Sequence, residues 1–374
     1  MLLLASFASL VATCKGSIWE SSSWELLGTA TGRTGYDSNL TFSSDGLGDA
    51  FAMVGGGLQL ERLNSLAKTQ IDAEAGETVF VDHRAASQLD ASATISIQYP
   101  IVDYELPQYT VDAGWVRSTA ADPELNRRLT LEKSTADISG RLMSSGQFGL
   151  NAGIDSYLYD YSSDGLGRNY QTEVKLGPAF DPTPLTEISA NFLGGVGEST
   201  GSTGGLGTVR DTSEAFTIQY KGEILPKLTS TIFGGVTHVS YTGGFTRSST
   251  LPTSGGELVW TISPGRTLSA GVSLTTGFAP DGETQRTQEG TLDYHQKLAE
   301  SWSVDFLFTP ESYSDRSTNS VRNDSNISGG AKLTYAPSER FGLSVGYNPM
   351  RQTSNLTQAN FTRSLVYLQV SYHL

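Results

Sequence analysis

Val366-Tyr367-Leu368-Gln369-Val370-Ser371-Tyr372-His373-Leu374 alternates side chains along a single strand. Val366, Leu368, Val370, Tyr372 and Leu374 share an apolar face, while Gln369, Ser371 and His373 share a polar one. A period of two is that of a β-strand with one dry and one wet side. A strand at a free edge exposes a row of unpaired backbone groups. A strand that ends a barrel pairs instead with the first strand.

The same alternation runs through the chain. Leu89, Ala91, Ala93, Ile95, Ile97 and Tyr99 alternate with Asp90, Ser92, Thr94, Ser96 and Gln98. Eleven residues of this kind match the roughly 9–11 that a tilted strand needs to cross a bilayer, and the same alternation recurs over shorter stretches at Phe148 to Ile154, Phe216 to Tyr220, Leu268 to Leu274, Trp302 to Phe308 and Phe341 to Tyr347. Strands are predicted near 24–34, 51–63, 66–79, 88–99, 107–118, 132–144, 147–160, 168–178, 185–196, 213–224, 227–241, 256–263, 266–277, 288–298, 301–313, 326–336, 340–352 and 363–374. This predicts an all-β, transmembrane, antiparallel up-and-down barrel of about eighteen strands, with sixteen as the alternative. A solvated soluble sheet needs the same alternation, but so many long strands exceed one ordinary sandwich.

The linkers sort in the same sense. Short turns hold Ser145-Gly146, Leu225-Pro226, Pro264-Gly265, Ala299-Glu300 and Pro337-Ser338-Glu339-Arg340. Longer Gly/Ser/Thr/Asn/Asp-rich segments lie near 35–50, 119–131, 197–212, 242–255, 278–287, 314–325 and 353–362. The short ones follow even-numbered strands and the long ones odd-numbered strands, as periplasmic turns and extracellular loops would. The segments 197–212 and 242–255 are the expected sites of constriction. Trp24, Tyr99, Tyr109, Trp115, Tyr157, Tyr159, Trp260, Trp302, Tyr335 and Tyr347 cluster near strand ends, where interfacial girdles would sit.

Composition sets limits. A net charge of −14 disfavours nucleic acid as a partner. No apolar run reaches the length of a membrane helix. The single cysteine, Cys14, rules out a disulfide or thiolate cluster in the body of the chain. Residues 1–12 read as the apolar core of an export signal without its basic n-region. Residues 1–20 are thus expected to be a leader or its remnant and 21–374 a single barrel in the outer membrane. A buried first helix or strand is the alternative. Val11-Ala12-Thr13-Cys14 fits a lipoprotein box poorly.

Tyr36-Asp37-Ser38-Asn39-Leu40, just after the first strand, resembles a signature of the β-barrel porin 2 family. Asn323-Asp324-Ser325-Asn326, Thr353-Ser354-Asn355-Leu356 and the final strand from Arg363 also look like that family. The resemblance implies an outer membrane barrel associated with exopolysaccharide or exosortase systems. Outer membrane barrels often end in Phe, where this chain has Leu374.

Charged residues of both signs sit on the polar faces. The expected lumen-lining set is Asp72, Glu74, Asp137, Arg141, Glu173, Lys175, Lys221, Asp293, His295, Asp305 and Lys332. None of His83, His238, His295 and His373 has the spacing of a metal pair. His295, flanked by Asp293 and Lys297, reads as a member of a lumen ion network rather than a hydrolase base. Ser-Ser-Asp-Gly-Leu-Gly occurs at 43–48 and 162–167 and reads as a turn motif used twice rather than a calcium site. The glycines at 194–195, 201, 204–205 and 207 precede no phosphate-loop lysine. No cofactor, metal or catalytic residue is expected.

The expected function is a porin-like channel for polysaccharide or small hydrophilic solutes. A structural or surface-binding barrel without an open channel, and an outer membrane hydrolase, are the competing readings. Outer membrane lipid and the barrel assembly machinery are the expected partners.

Overall fold

A computed structural model describes residues 17–21, 23–64, 66–100, 108–122, 127–145, 147–161, 167–200, 208–242, 247–278, 284–316 and 321–374. Most of the expected leader with Cys14, Gly146, Gly201, residues 204–207 and positions 162–166 of the second hexapeptide lie outside the described residues.

A short strand, β1 (Ser17–Glu20), precedes β2 (Trp24–Asp37), β3 (Asp49–Leu63), β4 (Lys68–Phe80), β5 (Gln88–Tyr99) and β6 (Gln108–Asp122). Next come β7 (Arg127–Ser145), β8 (Phe148–Tyr161), β9 (Arg168–Thr183), β10 (Thr186–Ser199), β11 (Val209–Leu225) and β12 (Leu228–Thr242). The last seven are β13 (Arg247–Ser263), β14 (Arg266–Phe278), β15 (Thr284–Ala299), β16 (Trp302–Arg316), β17 (Val321–Tyr335), β18 (Phe341–Ser354) and β19 (Phe361–His373). Each of β2 to β19 pairs antiparallel with its neighbours in sequence, and β19 pairs back onto β2. The result is a closed ring of eighteen strands. The C-terminal strand therefore has its partner, with Leu365 opposite Asp37 and His373 opposite Thr29.

The alternation becomes an inside-out partition. Val54 and Val272 are 73% and 68% exposed, and Phe192, Ile232, Val345, Leu368 and Val370 are exposed with them. Cross-strand register sets these residues side by side on one face, as in Val345 opposite Leu368 and Ile154 opposite Val174. A water-soluble protein does not expose contiguous apolar surface on this scale. Against lipid it is the required outer surface of a transmembrane barrel, and the chain is an outer membrane protein on that ground.

The barrel strands run from 12 to 19 residues, longer than a bilayer crossing requires. The excess is at the outer ends. β13 begins at Arg247 rather than near 256, and β11 at Val209 rather than near 213. Those stretches, such as Arg247-Ser248-Ser249-Thr250, are polar on both faces because both meet water above the lipid. They therefore carry no hydrophobic period to read as strand. The periplasmic turns are tight. Pro264-Gly265 connects β13 to β14 with Gly265 at φ 76°, a conformation that suits glycine after proline. A Cβ there would also lie 2.9 Å from Cβ of Lys297.

Closure is locked from the inside at the outer end of the seam. Arg363 on β19 donates from Nε to both carboxylate oxygens of Asp37 on β2, at 2.9 and 3.0 Å. Asp37 is 3% exposed. Lower on the same face Arg33 donates to Gln369 and lies over the Tyr367 ring. Replacing Arg363 with Ala strands a buried carboxylate. The expected cost is about 3 kcal/mol, read as a lower denaturant midpoint of the folded, heat-modifiable form in detergent. Arg363→Lys should recover part of it.

Candidate functional site

The inward face is defined by residues that reach one another across several strands. Arg141 on β7 is ion-paired with Asp181 on β9 and with Glu187 on β10, and Asn151 on β8 donates to the same Glu187. His295 Nδ1 on β15 lies 2.6 Å from Asp305 Oδ1 on β16, and Lys332 Nζ on β17 lies 3.2 Å from the other oxygen. Asp72 accepts from Gln70 at 2.9 Å. The register places Asp72, Glu74, Asp137, Arg141, Glu173, Lys175, Lys221, Asp293, His295, Asp305 and Lys332 on the face opposite the exposed apolar rows. Each of them keeps accessible surface.

Register also assembles what spacing alone does not. Asp112 is opposite Asp137, Asp137 opposite Asp155, and Asp155 opposite Glu173. Four carboxylates thus form a row across β6 to β9, with Lys175 two residues from its end. Asp112 and Asp155 were missed in the sequence because the strand pairing that aligns them is invisible there.

One expectation is overturned. Tyr157 and Tyr159 face inward, not lipid: they pair with Thr135 and Lys133, on the same face as Asp137. Their rings lie 5.0 Å apart, and Lys133 Nζ sits over the Tyr159 ring. Strand parity decides this. Ile154 faces lipid, so odd-numbered residues of β8 cannot. Trp24, Tyr99, Tyr109, Trp260, Trp302 and Tyr335 do share the lipid face, near the periplasmic ends.

The constriction expected of 197–212 and 242–255 falls on loop centres, 201–207 and 243–246, that lie outside the described residues; 197–199, 209–212 and 247–255 are wall strands. Among the described residues, loop 38–48, between β2 and β3, packs against the inward face. Leu40 is 3% exposed and packs with Phe51, Phe80 and Tyr367, all inward-facing. Phe42 packs at a tilt against Phe361, with ring centroids 5.2 Å apart, and lies under the Arg363 guanidinium at 4.6 Å. It does so at φ 53°, a left-handed conformation costing a non-glycine residue about 1 kcal/mol. Asn39 donates its amide to the carbonyls of Ser43 and Thr362, tying the loop to β19. The neighbouring loop joins in. Asp49 accepts from the backbone N–H groups of Asp82 and His83, and His83 Nδ1 lies 3.1 Å away. Two bulky apolar residues inside a Ser/Gly/Asp-rich loop were the signal that could have found this.

A catalytic reading of the histidines gains nothing from the geometry. His295 is engaged by the Asp305–Lys332 network, and His238 is on the lipid-side face with Thr250 and Ser240. Among the described residues no cluster of three or more His, Cys, Asp or Glu could hold a metal.

No family model matches the chain, and no curated protein does. Solved structures do. The apoprotein form of the FrpB iron transporter from Neisseria meningitidis aligns at 9% identity over 95% of this chain and 82% of its own, with a TM-score of 0.47. OpdQ of Pseudomonas aeruginosa aligns at 9% identity over 94% and 97%, with a TM-score of 0.47. OpdK of the same organism, with vanillate, aligns at 10% over 93% and 98%, with a TM-score of 0.46. These likenesses do not place the chain in any of those proteins' families.

The packing of loop 38–48 is open to direct test. Leu40→Ala should free the loop from the wall at a cost of about 2–5 kcal/mol. Chymotrypsin should then cut at Phe42 in the folded variant and spare the parent protein; equal protection of both would show that Leu40 does not hold the loop.

Proposed function

We propose that the chain is a passive outer membrane channel for small hydrophilic solutes. The observation that carries this reading is the inward face itself. In a closed ring it bears charged side chains of both signs. The eleven from Asp72 to Lys332 keep accessible surface, while Asp37, Asp49, Asp211 and Asp324 are buried at the outer end. The eleven sequence-selected residues line the path, with the carboxylate row from Asp112 to Glu173 at its most acidic height. That row disfavours anions without demanding cations, because Lys175, Lys221, Lys332 and Arg141 share the same face. Loop 38–48 narrows the outer mouth on the side of the seam.

Saccharides are the finer reading. The resemblance to the β-barrel porin 2 family points to them. The inward Tyr157–Tyr159 pair supports them, since aromatic faces accept the C–H face of a sugar while neighbouring carboxylates and amides accept its hydroxyls. Reconstitution in planar bilayers tests the channel, and liposome swelling with neutral sugars of rising size tests the solute. Discrete conductance with a modest cation preference is expected, and Asp137→Asn with Asp155→Asn should bring the permeability ratio close to one. If no conductance and no solute flux is found with folded protein, the barrel serves a structural or surface-binding role instead.

A further inference from the structure

The wall between β17 and β18 is interrupted. Ser328 pairs with Met350 and Ala331 with Tyr347, but the ladder has no pairs between them. The register sets Gly329 opposite Pro349, which has no N–H to give. At this gap the wall holds a groove of about 330 Å³. Its apolar sides come from Phe308 on β16, Ile327 and Gly329 on β17 and Pro349 on β18, and Arg351 and Thr362 border it.

Phe308 and Ile327 belong to the lipid-facing rows. The depth follows from β18. Its outward residues Phe341, Leu343, Val345, Tyr347 and Pro349 are apolar, and Arg351 and Thr353 above them are not. On β19 the outward row likewise passes from Val366 to Ser364 and Thr362. The groove therefore straddles the upper limit of the hydrocarbon, with its apolar part below and Arg351 at the level of the headgroups. Arg322 and Arg363 are engaged with Asp324 and Asp37. Arg351 is exposed and has no ion-pair partner among the described residues.

We propose that this groove seats one acyl chain of a phosphorylated outer-leaflet lipid whose phosphate is held by Arg351. At this depth the medium that meets the wall is hydrocarbon, so the occupant of the apolar part is a lipid tail. Tails are as apolar as the groove, so burial alone selects no particular lipid. The selection comes from the rim. A guanidinium matches phosphate with a two-pronged, charge-assisted hydrogen bond, and the Thr362 and Ser364 hydroxyls stand beside it as further donors. The proposal is independent of whether the lumen conducts.

The test uses the folded full chain in detergent micelles, titrated with bisphosphorylated lipid A and with its dephosphorylated form. Native mass spectrometry counts the lipid retained. One phosphorylated lipid per barrel is expected, with the dephosphorylated form about tenfold weaker. Arg351→Gln should weaken the phosphorylated lipid to the same level. Ile327→Trp, which projects a ring into the groove, should displace it. Arg168→Gln, at an outward arginine on the far side of the ring, should change nothing. Equal retention of the two lipids by the parent protein overturns the proposal, as does unchanged binding by Arg351→Gln and Ile327→Trp. The comparison of the two lipids needs no variant, so it decides the matter even if a substitution prevents folding.

Discussion

A backbone N–H or C=O in hydrocarbon has no water to bond to, and leaving it unpaired costs several kcal/mol. Every other feature of this chain follows from that constraint. It forces the sheet to close, and the edge strand β2 shows how completely. β19 pairs with it from Thr29 to Asp37. Below that, β1 lies along Glu25 to Leu27, and Leu374 N–H donates to the Gly28 carbonyl. Above it, Ser38 N–H donates to the Ser364 carbonyl while Ser364 N–H reaches the Ser38 hydroxyl. Side chains of Ile18 and Leu374 crowd over Gly28, so even the foot of the seam is packed.

The seam also gives Tyr36-Asp37-Ser38-Asn39-Leu40 a physical meaning. Five consecutive residues do five jobs there. Tyr36 faces out, Asp37 takes Arg363, Ser38 bridges to Ser364, Asn39 binds the loop and β19 together, and Leu40 enters the inward cluster. A motif that looks like a family signature in the sequence is thus a closure device in this chain. The second resembling pair of segments behaves similarly at the next strands: Asn323 N–H donates to the Asn355 side-chain carbonyl, and Asp324 is fully buried against Arg322.

Legibility followed the solvent boundary. Where one face met lipid and the other did not, as along Leu89 to Tyr99 or Val366 to Leu374, two-residue periodicity specified strand, face and closure. Where both faces met water, as along Arg247 to Thr250, the same backbone conformation had no hydrophobic signature and read as loop. Parity could have placed Tyr157 and Tyr159 inward, since Ile154 already fixed the face of β8; enrichment of aromatics at strand ends outweighed it wrongly. Features made by register were out of reach. The row Asp112, Asp137, Asp155, Glu173 and the groove beside Gly329 and Pro349 each combine strands whose alignment the sequence does not encode locally.

That row bears on what fills the barrel. Directly opposed side chains in a sheet start about 5 Å apart. Two like charges at that distance repel by about 1 kcal/mol in water and by about 3 kcal/mol at the effective dielectric of a protein surface. Three such contacts in succession are tolerable in the first case and a large fraction of a domain's stability in the second. Elsewhere on the same face several carboxylates have a cation beside them: Asp305 has Lys332, and Glu187 and Asp181 have Arg141. The row has Lys175 at one end and no comparable set of cations. A water-filled lumen supplies high dielectric at that height and so eases the repulsion, which agrees with the channel proposed above.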